Sequence, residues 1–341
     1  MSSTAQSAGC GDRIWKISAD TGGTFTDIVA VGPGGEVRTA KVLSTGRIRI
    51  RCLGQEGESS IRIEVRDMPD HFLDGIKLES GQVVRRCVGG CLWYAGARLR
   101  GDGYLEIDTG MAAPVLGAHW VTHTPLTEPL PPVAMRVATT RGTNALLEGK
   151  GAPVQLFLSE GLEDLLRIGN QTRPDLFARP ISPRRLLFKE SYGLAERVDP
   201  AGQLIHCGSR EDVRDPLPTG VAVVSLCNGY LNPEEERKIA ARLEGHGWSR
   251  VIAAAEASNL PGYLRRTETA VVEGYLAPTL DAYLDGIEQA EGVRDVRVMT
   301  SAGGIVDRSH FRAVDSLLSG PAGGVVGAAA AAKRAGIGSF L

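Results

Sequence analysis

The fold of this chain is decided by one stretch, Asp20-Thr21-Gly22-Gly23-Thr24-Phe25-Thr26-Asp27. Apolar segments at residues 14–17 and 28–31 flank it and predict two strands joined at the glycine pair. Both glycines are free to adopt positive φ and so admit a ligand against bare backbone. The N–H groups and threonine hydroxyls of such a turn can bind anionic oxygens, and Asp20 can hold a magnesium ion through its water shell. The other interpretation is an ordinary hairpin turn with a polar tip, because turns favour Gly, Asp and Thr without any ligand.

Length and charge narrow the class of protein. A chain of 341 residues is long enough for two domains or for one elaborated domain. Its 38 Lys and Arg residues nearly balance its 40 Asp and Glu residues, so no global field favours nucleic acid or a membrane as a partner. No apolar run reaches transmembrane length, and residues 1–13 lack the apolar core of a signal peptide. We expect a cytoplasmic protein with a disordered leader over residues 1–13.

The cysteines and histidines carry no metal signature. Six cysteines are scattered at positions 10, 52, 87, 91, 207 and 227, which fits reduced thiols better than a disulfide framework. Cys87 and Cys91 have the wrong spacing for a zinc knuckle, and no second pair follows them. The six histidines show no ligand spacing on a predicted helix. Each is therefore interpreted as a surface or core residue.

The sequence pattern divides the chain into three stretches. Residues 14–45 hold the hairpin and a third candidate strand at 36–43. Residues 46–132 carry short alternating runs separated by Gly-rich turns, a pattern that predicts a small β-rich insertion. A Pro-rich segment at 125–132 then returns the chain to its main domain as a stiff linker.

From residue 133 onward, short apolar strands alternate with amphipathic helices. Strands are predicted at 133–138, 153–158, 221–226, 250–254 and 296–300. Helices are predicted at 142–148, at 162–168, from 232 onward and over 264–288. The third helix has a strong start signal, with Asn232 as N-cap and Pro233 at the first helical position. This alternation implies a partly parallel sheet covered on both faces, and hence an α/β fold.

Residues 138–145 (ATTRGTNA) end a predicted strand and open a helix, where open α/β sheets usually place their ligands. Thr140, Arg141 and Asn144 there supply a hydroxyl, a guanidinium and an amide beside a helix N-terminus, which together make a good anion or carboxylate site. The alternative is a plain Thr N-cap with an exposed arginine. A P-loop is excluded, because Asn144 stands at the required earlier glycine and Gly151 follows Lys150.

Three further segments have both a functional and a structural interpretation. Residues 167–175 (RIGNQTRPD) are either a solvated loop or a segment that recognises a substrate amide. Residues 300–304 (TSAGG) are either a turn or a second close approach to phosphate or sugar. Residues 319–327 (SGPAGGVVG) open an Ala-rich helix that packs tightly against another helix or against a nucleotide.

Taken together, the motifs resemble the N-terminal part of the hydantoinase A and 5-oxoprolinase family, which includes subunits of acetone-type carboxylases. Four ordered stretches carry the resemblance: Asp20 to Asp27, Thr139 to Leu147, Leu165 to Leu176 and Leu318 to Gly327. Weaker support comes from residues 232–234 and 265–276. The resemblance divides the chain into an N-terminal domain (14–45 and 133–230), the insertion at 46–132 and the beginning of a hydantoinase A domain (231–341).

The resemblance implies an actin-like, ribonuclease H-like ATPase fold that closes over ATP and Mg²⁺. In this family ATP is expected to phosphorylate the carbonyl of a cyclic amide, with ring opening assisted by a hydantoinase B-type subunit or a fused C-terminal half. The implied candidate catalytic residues are Asp20, which would organise the metal, and Thr140, Arg141 and Asn144, which would lie on the substrate side. The implied cofactor-binding residues are Asp20, Thr21, Gly22, Gly23, Thr24, Thr26, Asp27, Gly303, Gly304, Gly320, Gly323 and Gly324.

Two departures from the family pattern qualify this expectation. The chain ends at residue 341, where the strand of a second phosphate loop is expected, so the second lobe is expected to be incomplete. Ala302 stands where relatives often carry Asn. We therefore expect this chain alone to bind nucleotide weakly and to turn over little substrate. The alternatives are the ATP-binding subunit of an acetone-type carboxylase and a non-catalytic remnant that acts as an interaction module.

Overall fold

The structure, a computed structural model, describes residues 14–65, 67–172, 177, 184–206 and 218–339. These residues form two compact units. The first comprises the chain up to Asn144 with Ala282–Phe311 and Asp315–Leu341, and the second comprises Ala145–Asp281 with Arg312–Val314. None of the helices in the described residues combines the length and the apolar character that a membrane crossing requires.

Strands and helices are numbered here in chain order. The strands are β1 (Trp15–Thr21), β2 (Phe25–Val31), β3 (Val37–Leu43), β4 (Arg47–Gly57), β5 (Ser60–Ile63), β6 (Val83–Val88), β7 (Cys91–Ala95), β8 (Tyr104–Asp108), β9 (Val133–Thr139), β10 (Val154–Ser159), β11 (Glu190–Leu194), β12 (Glu196–Val198), β13 (Leu204–His206), β14 (Val221–Ser225), β15 (Val251–Ala253), β16 (Val293–Met299) and β17 (Ile305–Asp307). The helices are α1 (Ala113–Thr122), α2 (Arg141–Glu148), α3 (Leu165–Ile168), α4 (Pro233–Gly245), α5 (Ala254–Ala257), α6 (Tyr263–Glu288) and α7 (Ser319–Arg334).

A six-stranded mixed sheet, in the order β17-β16-β9-β1-β2-β3, forms the centre of the first unit. β1, β9 and β16 run parallel, whereas the β1–β2, β2–β3 and β16–β17 pairs are antiparallel. Side chains along β1 and β2 alternate between buried and exposed, so these strands have one core face and one outer face. Helix α1 packs on the core face, where Gly117 lets it approach Ile28 closely. Helix α7 packs against β9 and β16.

The first unit also contains a second sheet, of five strands in the order β6-β7-β5-β4-β8, with antiparallel pairing. Its core, around the fully buried side chains of Phe72, Leu73, Ile61 and Leu92, continues to Val42 of β3 and Leu116 of α1. This sheet lies within the predicted insertion, although α1, in the same stretch, packs on the mixed sheet instead. The exact limits of the insertion stay a prediction.

The second unit is built on a parallel sheet in the order β11-β10-β14-β15. Every side chain of β10 and β14 is buried, as expected for parallel strands covered on both faces. Helix α4 packs against β14 and β15. A small antiparallel pair, β12 and β13, accompanies this sheet.

The α/β class with a mixed sheet and a β-rich insertion is therefore confirmed. The long elements lie where apolar periodicity predicts them, within a few residues. The predicted helix at 162–168 is shorter, at Leu165–Ile168, and the strand predicted at 250–254 passes into α5 after Ala253. The expected side-chain cap at Asn232 is not formed within the described residues, and the side-chain amide of Asn232 donates to the Gly202 carbonyl at 3.0 Å.

Candidate functional site

The strand ends of the mixed sheet bring together the motifs of the first unit. β1, β9 and β16 are parallel, so the segments that follow them emerge at one edge. The N–H of Thr140 donates to the Thr21 carbonyl at 3.0 Å, which joins the segment after β9 to the hairpin. The hydroxyl of Ser319 donates to the Thr139 carbonyl at 3.1 Å, which joins the start of α7 to the same edge.

The hairpin between β1 and β2 is tighter than the sequence predicts. Asp20 and Thr21 belong to β1, and Asp27 pairs with Asp20 across the two strands. The N–H of Gly22 donates to the Phe25 carbonyl at 3.0 Å and closes the turn. Neither Gly22 nor Gly23 has a positive φ, so the expectation of left-handed glycines is wrong. The strands run up to Thr21 and Phe25, and the short turn between them closes without a left-handed residue.

The outer face of the hairpin carries its two carboxylates. Asp20 and Asp27 are exposed there. Partial desolvation and the neighbouring Asp27 carboxylate both raise the pKa of Asp20 above its ordinary value. A cation placed beside this pair would relieve their repulsion. Lys41 already does so in part, because its ammonium lies 2.6 Å from the Asp27 carboxylate.

The inner face of the hairpin carries Thr21 and Thr26, which are fully buried. Thr21 Oγ1 lies 2.8 Å from the Tyr283 hydroxyl and 3.3 Å from Thr26 Oγ1. Thr26 Oγ1 lies 3.0 Å from Ser44 Oγ, and the Ser44 hydroxyl donates to the Gly22 carbonyl at 2.8 Å. We call Tyr283, Thr21, Thr26 and Ser44 the hydroxyl row. Both threonine hydroxyls thus point away from the face that carries Asp20 and Asp27, and they brace the hairpin from inside.

Arg141 is tied to the same inner network. Its guanidinium stacks over the Tyr283 ring at 4.3 Å from the centroid and donates to the Ser44 carbonyl at 3.1 Å. Its Nε is buried and makes no hydrogen bond to any residue that the structure describes. Burial raises the pKa of Tyr283 to about 12, so its hydroxyl stays protonated at neutral pH.

Thr140 and Asn144 lie directly behind the turn. The Thr140 hydroxyl donates to the Thr21 carbonyl at 3.3 Å, and the Asn144 amide donates to the Thr140 hydroxyl at 3.4 Å. A Cβ on Gly23 would lie 3.4 Å from the Asn144 side-chain nitrogen. The three candidate residues of the substrate side, Thr140, Arg141 and Asn144, therefore contact the hairpin or its bracing side chains.

The glycines of residues 300–304 and of α7 differ in their relation to this edge. Gly303 has a positive φ of 79° and packs under Val326, and Gly304 accepts two hydrogen bonds from Thr300. A Cβ on Gly320 would meet Thr140, and one on Gly323 would meet Met299. Gly324 has no neighbour within 4 Å at its Cβ position. Gly320 and Gly323 thus face the sheet, whereas Gly324 does not.

A cavity of about 320 Å³ opens on the outer face beside the two carboxylates. Its walls are mainly apolar, with the Asp20 and Asp27 carboxylates and the Arg136 guanidinium as charged groups. The remaining lining residues are Ser18, Ala19, Val29, Val137, Ala138, Met299, Ile305, Gly320 and Gly323. A volume of this size suits a small molecule.

The turn itself fits an anion. Gly23 and Thr24 are exposed at its tip, and within the described residues their backbone N–H groups donate no hydrogen bond. Free N–H groups on successive residues make a concave site for phosphate oxygens.

No group of three or more His, Cys, Asp or Glu side chains in the described part of the chain could hold a metal alone. A magnesium ion here would therefore depend on one or two carboxylates together with phosphate oxygens and water.

Sequence comparison supplies the family. The profile of the hydantoinase/oxoprolinase N-terminal region matches residues 122–247, and the hydantoinase/oxoprolinase profile matches residues 266–340. Together they cover more than half of the chain. The chain belongs to the hydantoinase/oxoprolinase family.

Curated relatives within the family are much longer proteins. 5-Oxoprolinase 1 of Arabidopsis thaliana is 33% identical over 222 residues, which are 57% of this chain and 18% of that protein. The 5-oxoprolinase of Saccharomyces cerevisiae is 30% identical over 231 residues, with the same two shares. The acetone carboxylase beta subunit of Xanthobacter autotrophicus is 28% identical over 214 residues, which are 54% of this chain and 29% of that protein.

Two solved structures share the fold. A nucleotide-free acetone carboxylase aligns with a TM-score of 0.61 and 20% identity, over 94% of this chain and 41% of that chain. The ATP-dependent caprolactamase from Pseudomonas jessenii aligns with a TM-score of 0.58 and 19% identity, over the same shares. The fold of these two structures therefore extends over nearly the whole of this chain.

Within this family member, the four motif stretches are not all in one place. Residues 20–27, 139–144 and 318–327 lie in the first unit, whereas residues 145–147 and 165–172 lie in the second. Residues 173–176 of the third stretch fall outside the described residues. Sequence analysis missed Ser44 and Tyr283. Ser44 directly follows a predicted strand and could have been found as a turn residue, but Tyr283 is 262 positions from its partner Thr21 and gives no local signal.

Proposed function

We propose that this chain is the ATP-binding part of an enzyme that opens a cyclic amide of the 5-oxoproline or hydantoin type. The observation that carries the proposal is the hairpin tip, where two exposed N–H groups that have no partner among the described residues stand beside a pair of carboxylates. Phosphoryl transfer needs this combination, because catalysis depends on positioning the phosphates and neutralising their charge. Names of relatives support the choice of reaction, since they include 5-oxoprolinases and an ATP-dependent caprolactamase.

The role proposed for each hairpin residue depends on whether its side chain lies on the outer or the inner face of the hairpin. The N–H groups of Gly23 and Thr24 would donate to phosphate oxygens, and Asp20 with Asp27 would hold Mg²⁺ on the outer face. ATP, when bound, supplies the phosphoryl group that makes an amide carbonyl a better electrophile. Thr21 and Thr26 keep the backbone in place from the inner face and leave the phosphate contacts to the backbone.

The other candidate residues are proposed to shape the site or to orient the substrate. Gly320 and Gly323 would let α7 lie close to the sheet beside the cavity, and Gly303 and Gly304 would shape the neighbouring turn. Thr140 and Asn144, placed behind the tip, would orient the substrate side of the site. Arg141 is better suited to support, because its guanidinium is already engaged by Tyr283 and Ser44.

A partner is part of the proposal. The chain spans 18% of the length of the curated 5-oxoprolinases that it matches. Ring opening is therefore proposed to require a hydantoinase B-type subunit or a fused second half. One relative is itself named as a beta subunit, that of acetone carboxylase, which supports a multi-subunit assembly.

Titration calorimetry with magnesium and ATP tests the nucleotide site directly. The chain should bind, weakly, and Asp20→Asn should weaken binding at least tenfold, because a carboxylate ligand of the metal is lost. Asp102→Asn, an exposed carboxylate of the insertion, is the matched control and should bind as the wild type does. Equal binding by Asp20→Asn and the wild type would refute the assignment.

The substrate is tested by ATP hydrolysis in the presence of a partner subunit. Stimulation by 5-oxoproline or a hydantoin supports the cyclic-amide reaction. Stimulation by a ketone with bicarbonate, and not by a lactam, would favour the acetone carboxylase type of reaction, to which the fold likeness also extends.

A further inference from the structure

We propose that Ser44 and Tyr283 are positioning residues that aim the tip of the hairpin at its phosphate ligand, an inference that rests on the proposed function. They stand at the two ends of the hydroxyl row, one against the tip and one on α6. Neither belongs to the motif of residues 20–27. They act through the backbone of that motif.

Ser44 donates two hydrogen bonds to the backbone of the tip. Its hydroxyl donates to the Gly22 carbonyl at 2.8 Å, and its own N–H donates to the Thr24 carbonyl at 2.9 Å. The residue is nearly fully buried, so water does not compete strongly for these bonds. Both contacts lie on the side of the tip away from Asp20 and Asp27.

Because the peptide group is planar, these hydrogen bonds also determine the direction of the Gly23 N–H. The Gly22 carbonyl and the Gly23 N–H belong to one trans peptide group, in which they point in opposite directions. Holding the carbonyl inward on Ser44 therefore turns the Gly23 N–H outward. That N–H is one of the two groups at the tip that donate no hydrogen bond within the described residues.

Tyr283 fixes the other end of the row. Its side chain is buried, and its hydroxyl lies 2.8 Å from Thr21 Oγ1. Arg141 stacks on its ring and donates to the Ser44 carbonyl, so Arg141 connects both ends of the row. A change in either end residue should loosen the same short stretch of backbone.

Two measurements on the intact chain test the proposal. In Ser44→Ala, the dissociation constant for Mg-ATP should rise about fivefold, the effect of one buried hydrogen bond. Without nucleotide, amide hydrogen exchange over residues 20–27 should accelerate, while exchange in the second unit and in the insertion stays unchanged. Ser60→Ala, a buried serine of the insertion, is the matched control and should alter neither quantity.

Tyr283→Phe provides the second variant, because it removes only the hydroxyl. It should give the same local acceleration, and Tyr94→Phe is its control, since the Tyr94 hydroxyl is hydrogen-bonded within the insertion. A purely structural role predicts a lower melting temperature with exchange near 20–27 no faster than in the two controls, and this result would overturn the proposal. If the wild type binds no Mg-ATP, the proposed function fails, and the exchange pattern alone still decides whether Ser44 and Tyr283 position the tip.

Discussion

The two main sheets of this protein place their charges in opposite ways. The mixed sheet of the first unit leaves an outer face exposed, and Asp20 and Asp27 stand on it with a raised pKa at Asp20. The central strands β10 and β14 of the parallel sheet in the second unit are buried on both faces, and two charged side chains beyond the strand ends are buried as well. Glu236 and Arg266 there have no exposed surface.

This difference separates carboxylates that stay exposed on a sheet from charged groups that stabilise the fold. In the second unit, the Glu236 carboxylate accepts the N–H groups of Leu226 and Ala255 at 2.9 and 2.6 Å. Arg266 donates to the carbonyls of Leu260 and Leu226. Both side chains satisfy backbone groups beyond the strand ends, so they hold loops. Within the described residues, Asp20 and Asp27 of the first unit accept no backbone N–H, and Asp27 is paired with Lys41, which leaves the Asp20 carboxylate available.

The largest expected effect is a loss of stability when the buried carboxylate of Glu236 is removed. Glu236→Ala leaves two buried N–H groups without an acceptor and Arg266 without its nearby negative charge. The free energy of unfolding should fall by about 3 kcal/mol. Urea unfolding followed by circular dichroism measures the change.

Glu234→Ala is the control for this variant, because it lies on the same helix and is exposed. Its effect should stay within about 0.5 kcal/mol. A similar small loss in Glu236→Ala would mean that the buried carboxylate contributes little to holding the loops, and the contrast between the two sheets would weaken.

A valine-to-alanine substitution, made once in each sheet, tests the next largest expected loss of stability. Val223 of β14 is fully buried and packs against Gly274 of α6, whereas Val29 of β2 is 47% exposed. Val223→Ala should lower the free energy of unfolding by about 2 kcal/mol, and Val29→Ala by less than about 0.5 kcal/mol. Equal losses in denaturant titrations would show that the outer face of the mixed sheet is covered in solution.

The smallest effect is a pH-dependent gain of stability in Asp20→Asn. Folding raises the pKa of Asp20, so its negative charge disfavours the folded state once the pH exceeds the ordinary pKa of an aspartate. The variant should therefore melt slightly higher than the wild type at about pH 7, and the difference should vanish at about pH 3. A variant that melts lower at neutral pH would show that the carboxylate stabilises the hairpin instead.

Much of this fold could be predicted from sequence because its strands are marked by apolar runs. Strand β14 is wholly apolar up to Ser225, and α6 has a long periodic pattern, so both were placed within a few residues. Helix α1 was not predicted, because it lies in a stretch dominated by strand-like alternation. Strands β11 to β13 are short and partly polar and gave no clear signal either.

The candidate site was predictable in its residues more than in its geometry. The motif of residues 20–27 identifies a hairpin, but only strand register tells which side chains share a face. Because Asp20 pairs with Asp27 and Thr21 with Thr26, carboxylates and hydroxyls lie on opposite faces. Sequence analysis assigned all of them to one ligand. Tyr283 comes from a distant helix and enters only through tertiary packing.

The pairing of Arg47 with Asp108 has a consequence for how the chain folds. It brings the first and last strands of the five-stranded sheet side by side, and the Thr109 hydroxyl donates to the Gly46 carbonyl at 2.7 Å next to them. Once this sheet has formed, the sixty or so residues between Arg47 and Asp108 no longer add to the loop that joins β1 to β9. The entropy cost of that pairing then depends on residues 22–46 and 109–132, which shortens the effective separation of the two strands.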